Sequence, residues 1–147
     1  MSTYKKFITE EGKNEVLKIA FSDTGNENTF RYLALGTSAG QASTTGLKED
    51  FVEVDRADNY QRVGVSSESE ENTIEFDGNG TATISFVVSE NNYTGAGVTI
   101  QEIALCNDAE ADISTDSACK VFAFCEVPPI EKTSNISLKY TLKISIE

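Results

Sequence analysis

The chain has 147 residues, with 24 carboxylates against 12 lysines and arginines, a formal net charge of −12 and no histidine. Such a length suits one domain that buries roughly 68–70% of the surface its unfolded chain exposes, and 39% apolar with 24% charged residues excludes a disordered or collagen-like chain. The negative charge repels phosphate backbones and argues against nucleic acid as a partner, and the lack of histidine removes the commonest general acid–base group and metal ligand.

The first element in chain order is a helix. Thr9 is a good N-cap, and Glu10 and Glu11 stand in the first turn, where the helix dipole favours negative charge. Val16, Ile19 and Ala20 at i, i+3, i+4 spacing, with Leu17 beside them, make an apolar stripe opposite Lys13 and Lys18. Asp23, Thr24 and Gly25 break the pattern, which predicts a helix over about 10–21.

Everything after Thr29 reads as short strands. The sequence predicts them over 30–35, ending at Gly36, over 60–66, over 73–76 and 81–89, and over 98–106 and 120–127. Asp77-Gly78-Asn79-Gly80 is a hairpin signal, because glycine takes positive φ at little cost. Residues 37–45, rich in Ser, Thr, Gly and Ala, and the acidic segment 107–118 are predicted loops. The last segment alternates without a break: Ile136, Leu138, Tyr140, Leu142, Ile144 and Ile146 are apolar, and Ser137, Lys139, Thr141, Lys143 and Ser145 between them are polar. Period two over this span means one buried face and one wet face. The expected fold is therefore mainly β, an antiparallel β-sandwich with one N-terminal helix, in a single domain over 1–147.

No apolar run approaches the ~18 residues of a membrane-spanning helix, so no membrane partner is expected. No apolar stretch follows Lys5 and Lys6 as a secretory signal requires. Folding in a cytoplasm is expected, with Cys106, Cys119 and Cys125 reduced.

Five features bear on chemistry. The acidic segment 107–116 offers oxygen atoms at alternate positions, as Ca²⁺ would take, but lacks the glycine and terminal glutamate of an EF-hand loop; a solvated hairpin loop explains it better, and no metal or other cofactor is expected. Cys106 and Cys119 face one another across the base of that loop if the flanking strands pair, either as buried small hydrophobes or as a redox cross-link. Glu102 lies in an apolar strand, on the side of Ile100 and Ala104 in strict alternation, with Gln101 on the side of Ile103 and Leu105. A carboxylate so placed is expected to pair with a cation or to stand at a sheet edge, rather than to act as a catalytic acid. The run from Leu35 to Gly40 lacks the lysine of a phosphate-binding loop. Tyr32, Tyr60, Tyr93 and Tyr140 are the side chains that could stack on sugars. No catalytic residue and no enzymatic activity is expected.

The order of motifs resembles the small β-rich domain at the N-terminus of tailed-bacteriophage tail fibre and tail-collar proteins. The segments that carry the resemblance are the opening helix with Tyr32-Leu33-Ala34-Leu35-Gly36; Leu47 to Phe51 with Arg56 and Arg62; Val98 to Leu105, similar to a T-I-x-E-I-G-L strand with Ala104 in place of glycine; and Val121 to Phe124, then Pro129 to Thr133, then the alternating last strand. The resemblance implies a non-enzymatic virion protein made in the host bacterial cytoplasm, acting as a tail, collar or fibre-attachment adaptor. Its partners would be other virion proteins of the tail, neck or capsid, and its state a homo-oligomer, a trimer being one such state. Fibre proteins of this kind continue into long shafts, whereas this sequence stops at Glu147 and is expected to hold the attachment domain alone. A capsid decoration protein and a carbohydrate-binding receptor module are the alternatives.

Charge is segregated along the chain. No lysine or arginine occurs between Arg62 and Lys120, a block with eleven carboxylates. The acidic middle is expected to face solvent, and Lys132, Lys139 and Lys143, on or near the wet face of the last strand, are the expected assembly contacts.

Overall fold

Alternation of apolar and polar residues sorts the strands into two antiparallel sheets. The computed structural model describes residues 9–21, 29–38, 48–66 and 68–146. Helix α1 (Glu10–Ala20) is followed by β1 (Tyr32–Gly36), β2 (Val63–Gly64), β3 (Thr73–Phe76), β4 (Thr81–Val88), β5 (Val98–Cys106), β6 (Val121–Lys132) and β7 (Leu138–Ser145), with short 3-10 turns at Lys48–Asp50 and Arg56–Asp58. One sheet has the order β2-β1-β5-β6 and the other β3-β4-β7. Leu33, Leu35, Ile103 and Leu105 of the first meet Ala82, Ile84, Phe86, Val88, Leu138 and Leu142 of the second in one buried core. The protein is thus mainly β, a sandwich with one short helix among the described residues.

The two sheets differ on their outer faces. The three-stranded sheet is wet outside, so β4 buries every second residue and Lys139, Thr141 and Lys143 of β7 are exposed. The four-stranded sheet is covered outside by residues 51–62 and the acidic loop. Phe51, Ile113 and Cys119 pack there with Ala34, Ala104 and Cys106 in a second apolar cluster. A strand buried on both faces has no polar side to show, which is why β5 is apolar without a break from Ile103 to Cys106. Gly36 permits the cover to approach: a Cβ there would lie 2.6 Å from Cε2 of Phe51.

Several expectations need correction. The helix ends at Ala20; Leu17 on it and Phe21 just after it are buried, whereas Val16 is 53% and Ile19 75% exposed. Two stripes about 100° apart overlap in this sequence. The aromatic contacts of Phe21 with Phe30 and Phe122, at centroid distances of 6.4 and 4.9 Å, decide which one faces inward. Phe30 belongs to this corner and not to β1, because its N–H donates to the Ala20 carbonyl at 2.9 Å. The strand predicted over 60–66 shrinks to Val63–Gly64. Most of the loop predicted over 37–45 lies outside the described residues.

β6 runs five residues past its predicted end, through Pro128 and Pro129. The ladder breaks there, with Ile100 opposite Ile130 but Glu102 opposite Glu126. An edge strand tolerates prolines because their missing N–H groups need no partner on the open side. The break also overturns strict alternation in β5. Ile100 joins Ile103 and Leu105 in the inter-sheet core, and the Gln101 amide turns away to donate to the Thr37 carbonyl at 2.9 Å. Glu102 is fully buried in a central strand and not at a sheet edge.

The turn at 77–80 forms as the sequence requires. Gly78 and Gly80 have φ of 81° and 85°, and the Asp77 carboxylate accepts the N–H groups of Asn79 and Thr81 at 2.7 and 3.0 Å. Those bonds hold its pKa below the usual carboxylate range.

Candidate functional site

Two surfaces carry the polar and apolar side chains that the fold leaves for function. The first is a cleft of about 600 Å³ between residues 49–62 and the acidic loop. At its base Arg62 is buried and forms a two-pronged pair with Glu53: Nε donates to Oε2 at 2.9 Å and Nη2 to Oε1 at 2.7 Å. Tyr60 donates its hydroxyl to Glu53 Oε2 at 2.6 Å and accepts the Leu35 N–H of β1 at 2.9 Å. Arg62 Nη1 donates to the Asp108 carbonyl at 2.9 Å. Burial opposes the Arg62 charge, but the bonds to Glu53 outweigh it and hold the guanidinium protonated more firmly than usual. Burial, then the Glu53 charge, push the Tyr60 phenol well above its ordinary value.

The acidic loop is built by its own carboxylates. Asp108 Oδ1 accepts the N–H groups of Glu110 and Ala111, Asp112 Oδ1 that of Ser114, and Asp116 Oδ1 that of Ala118. Bonds of this kind stabilise the ionised form, and Asp108 and Asp112 have lowered pKa values. Arg56 adds a second tie from outside, donating both terminal nitrogens to the Ala109 carbonyl at 3.3 Å. Among the described residues no group of three or more Cys, Asp and Glu is placed to hold a metal ion. Cys106 and Cys119 are fully buried thiols, not joined in a disulfide, at the neck of the loop. The hydrogen bond between them, and then burial, push the Cys106 thiol far above its ordinary range.

The second surface is the open side of the sandwich. β6 and β7 are the last strands of their sheets and do not pair with each other, so a groove of about 630 Å³ runs between them. Its walls include Ile103, Cys125, Val127, Tyr140, Leu142 and Ile144. The Tyr140 hydroxyl is buried there without a hydrogen-bond partner, and desolvation raises its pKa. Phe122 and Ile130 of β6 are 44% and 39% exposed.

The residues singled out from the sequence separate in space. Lys139 and Lys143 stand exposed on the outer face of β7. Lys132 does not join them: it belongs to β6, is fully buried, and donates Nζ to the carbonyls of Thr133 and Glu90 at 2.6 and 3.3 Å. Burial lowers its pKa against the opposing pull of the Glu90 charge. The break at Pro128-Pro129 extends β6 far enough to carry Lys132 under the loop that follows β4. Of the tyrosines, Tyr60 and Tyr93 are buried and Tyr32 lies under the Arg31 guanidinium at 5.2 Å. Sequence reasoning missed the Glu53–Tyr60–Arg62 network. Its one signal was an arginine inside the otherwise weakly apolar run 60–66.

No helix among the described residues is long and apolar enough to cross a membrane. Comparison with protein-family models, curated proteins and solved structures returns no match.

Proposed function

We propose that the chain is a non-enzymatic structural protein of a tailed-bacteriophage virion, an adaptor at the tail, collar or fibre attachment. The observation that carries this reading is the open side of the sandwich, where two strand edges and an apolar groove lie uncovered by any described residue. An exposed strand edge beside apolar side chains is a template for another chain. The polar groups under the cleft, by contrast, are tied up inside the fold, with Glu53, Tyr60 and Arg62 satisfying one another and the backbone. The segments that resemble the tail fibre and collar domains support the reading structurally. Two of them, Tyr32 to Gly36 and Val98 to Leu105, lie in β1 and β5, the central hydrogen-bonded pair of the four-stranded sheet, and Arg56 and Arg62 hold the acidic loop.

Quantitative mass spectrometry of purified particles tests the proposal. A few to a few dozen copies per particle is the expected result. Hundreds of copies would favour capsid decoration, and absence from the particle would overturn the virion reading. Glycan-array binding by the isolated chain would instead favour the receptor module.

A further inference from the structure

We infer that the groove between β6 and β7 is closed by a second copy of this chain, β6 of each copy pairing with β7 of the other in a two-fold dimer. This rests on the reading of the open side as an assembly surface and names its occupant.

The argument is one of charge and side-chain phase. On β6 the core-facing residues are Ala123, Cys125 and Val127, set by their pairing with Leu105 and Ile103 and their packing on the core, while Glu126 and Glu131 are exposed. On β7 the core-facing residues are Leu138, Tyr140, Leu142 and Ile144, while Lys139 and Lys143 are exposed. Three edge pairings are open to two copies. Pairing β7 with β7 in antiparallel register about Thr141 sets Lys139 opposite Lys143, and like charges directly opposite destabilise a ladder. Pairing β6 with β6 brings acidic strands together and puts four prolines that cannot donate into one ladder, where each β6–β7 ladder meets two. Pairing β6 with β7 places apolar residues beside apolar residues on the inner face. On the outer face it brings Glu126 to Lys143 and Glu131 to Lys139, because the two strands run in opposite directions from the turn that joins them.

A two-fold axis along the strands makes this pairing twice. It continues the four-stranded sheet of one copy into the three-stranded sheet of the other and faces the two grooves towards each other, as an isologous interface requires. The partner strand then lies against Tyr140, whose buried hydroxyl has no hydrogen-bond partner among the described residues. The far edges, β2 and β3, have two and four residues and are too short to compete as templates.

The test is sedimentation equilibrium of the full chain, with circular dichroism to confirm that each variant folds. The wild type is expected to sediment as a dimer at about 100 μM, with a Kd that Lys143→Glu raises about tenfold or more, since each substitution enters a two-fold interface twice. Combining Lys143→Glu with Glu126→Lys should restore the wild-type Kd, which a merely structural effect of either change would not do. Amide exchange in β6 and β7 should slow with concentration while that in β2 and β3 does not. A monomer or a trimer at that concentration overturns the inference, as does a dimer whose Kd neither charge reversal moves. A chain that is monomeric yet present in the particle sinks the dimer and leaves the assembly reading standing. A dimer absent from the particle does the reverse.

Discussion

The two long flanks of the four-stranded sheet solve opposite problems. At the β1–β2 flank, polar groups are brought inside and all three nitrogens of Arg62 donate: two to Glu53, one to the Asp108 carbonyl. At the β6 flank, the sheet stops with apolar side chains still uncovered and with no partner strand among the described residues. The first arrangement fixes a loop in place. The second leaves surface that water wets poorly. A charge-rich cleft therefore need not be the functional one: here the carboxylates fold their own loop, and the surface short of partners is the apolar one.

The comparison can be broken at its strongest point by removing β7. Truncation after Thr133 takes away Leu138 and Leu142, both buried, and the partly buried Tyr140 and Ile144. Each is worth roughly 1.5–3 kcal/mol if fully buried, against a typical total stability of about 5–15 kcal/mol. The truncated chain is expected in the insoluble fraction, and a soluble product with wild-type circular dichroism would show β7 to be peripheral.

Arg62→Ala attacks the wired flank. It strands the Glu53 carboxylate under Tyr60 and releases the Asp108 carbonyl, and breaking such a pair costs about 3–5 kcal/mol where both partners are dry. Because Glu53 is 16% exposed, the lower end, about 3 kcal/mol, is expected in urea melts. Arg62→Lys should recover less than half of it, since an ammonium cannot bind a carboxylate in fork geometry. Full recovery would mean that charge alone matters there.

Tyr60→Phe removes one hydroxyl from the same network and leaves the buried Leu35 N–H without its acceptor. The expected loss is about 1–3 kcal/mol, and amide exchange at Leu35 should accelerate with it.

Acid separates the loop from the rest. The Asp108 and Asp112 carboxylates are depressed by backbone and side-chain hydrogen bonds. Their contribution is therefore fully present above the unfolded carboxylate value and is lost as pH falls through the lower folded values. Exchange protection of Glu110, Ala111 and Ser114 should hold from neutrality to about pH 4 and disappear below it, before that of β4. Loss of protection near pH 6 would contradict the assignment.

The smallest effect is expected on the helix. Ile19→Ser at an exposed position should change stability by less than about 0.5 kcal/mol, whereas Leu17→Ala, one turn along the buried stripe, should cost about 2–5 kcal/mol. Comparable losses at the two positions would restore the stripe first read from the sequence.

Much of the fold was legible because alternation and turn chemistry are local. Period two in β7 and the glycines at 78 and 80 each need only neighbouring residues to act, and both elements form where they were expected. The break in the β5–β6 ladder was not legible, because the residues opposite it, 127–129, lie in a strand more than twenty residues away. Neither was the network of Glu53, Tyr60 and Arg62, whose members meet only after residues 51–62 fold over the sheet. The same holds for Lys132, a residue whose composition says surface and whose position in an extended β6 puts it inside. Sequence determined which segments are strands and which faces are apolar, since these follow from backbone geometry and side-chain type within a few residues. Tertiary structure decided which apolar stripe is covered, which charges are buried and which edges stay open, since burial and pairing are properties of segments that only the folded chain brings together.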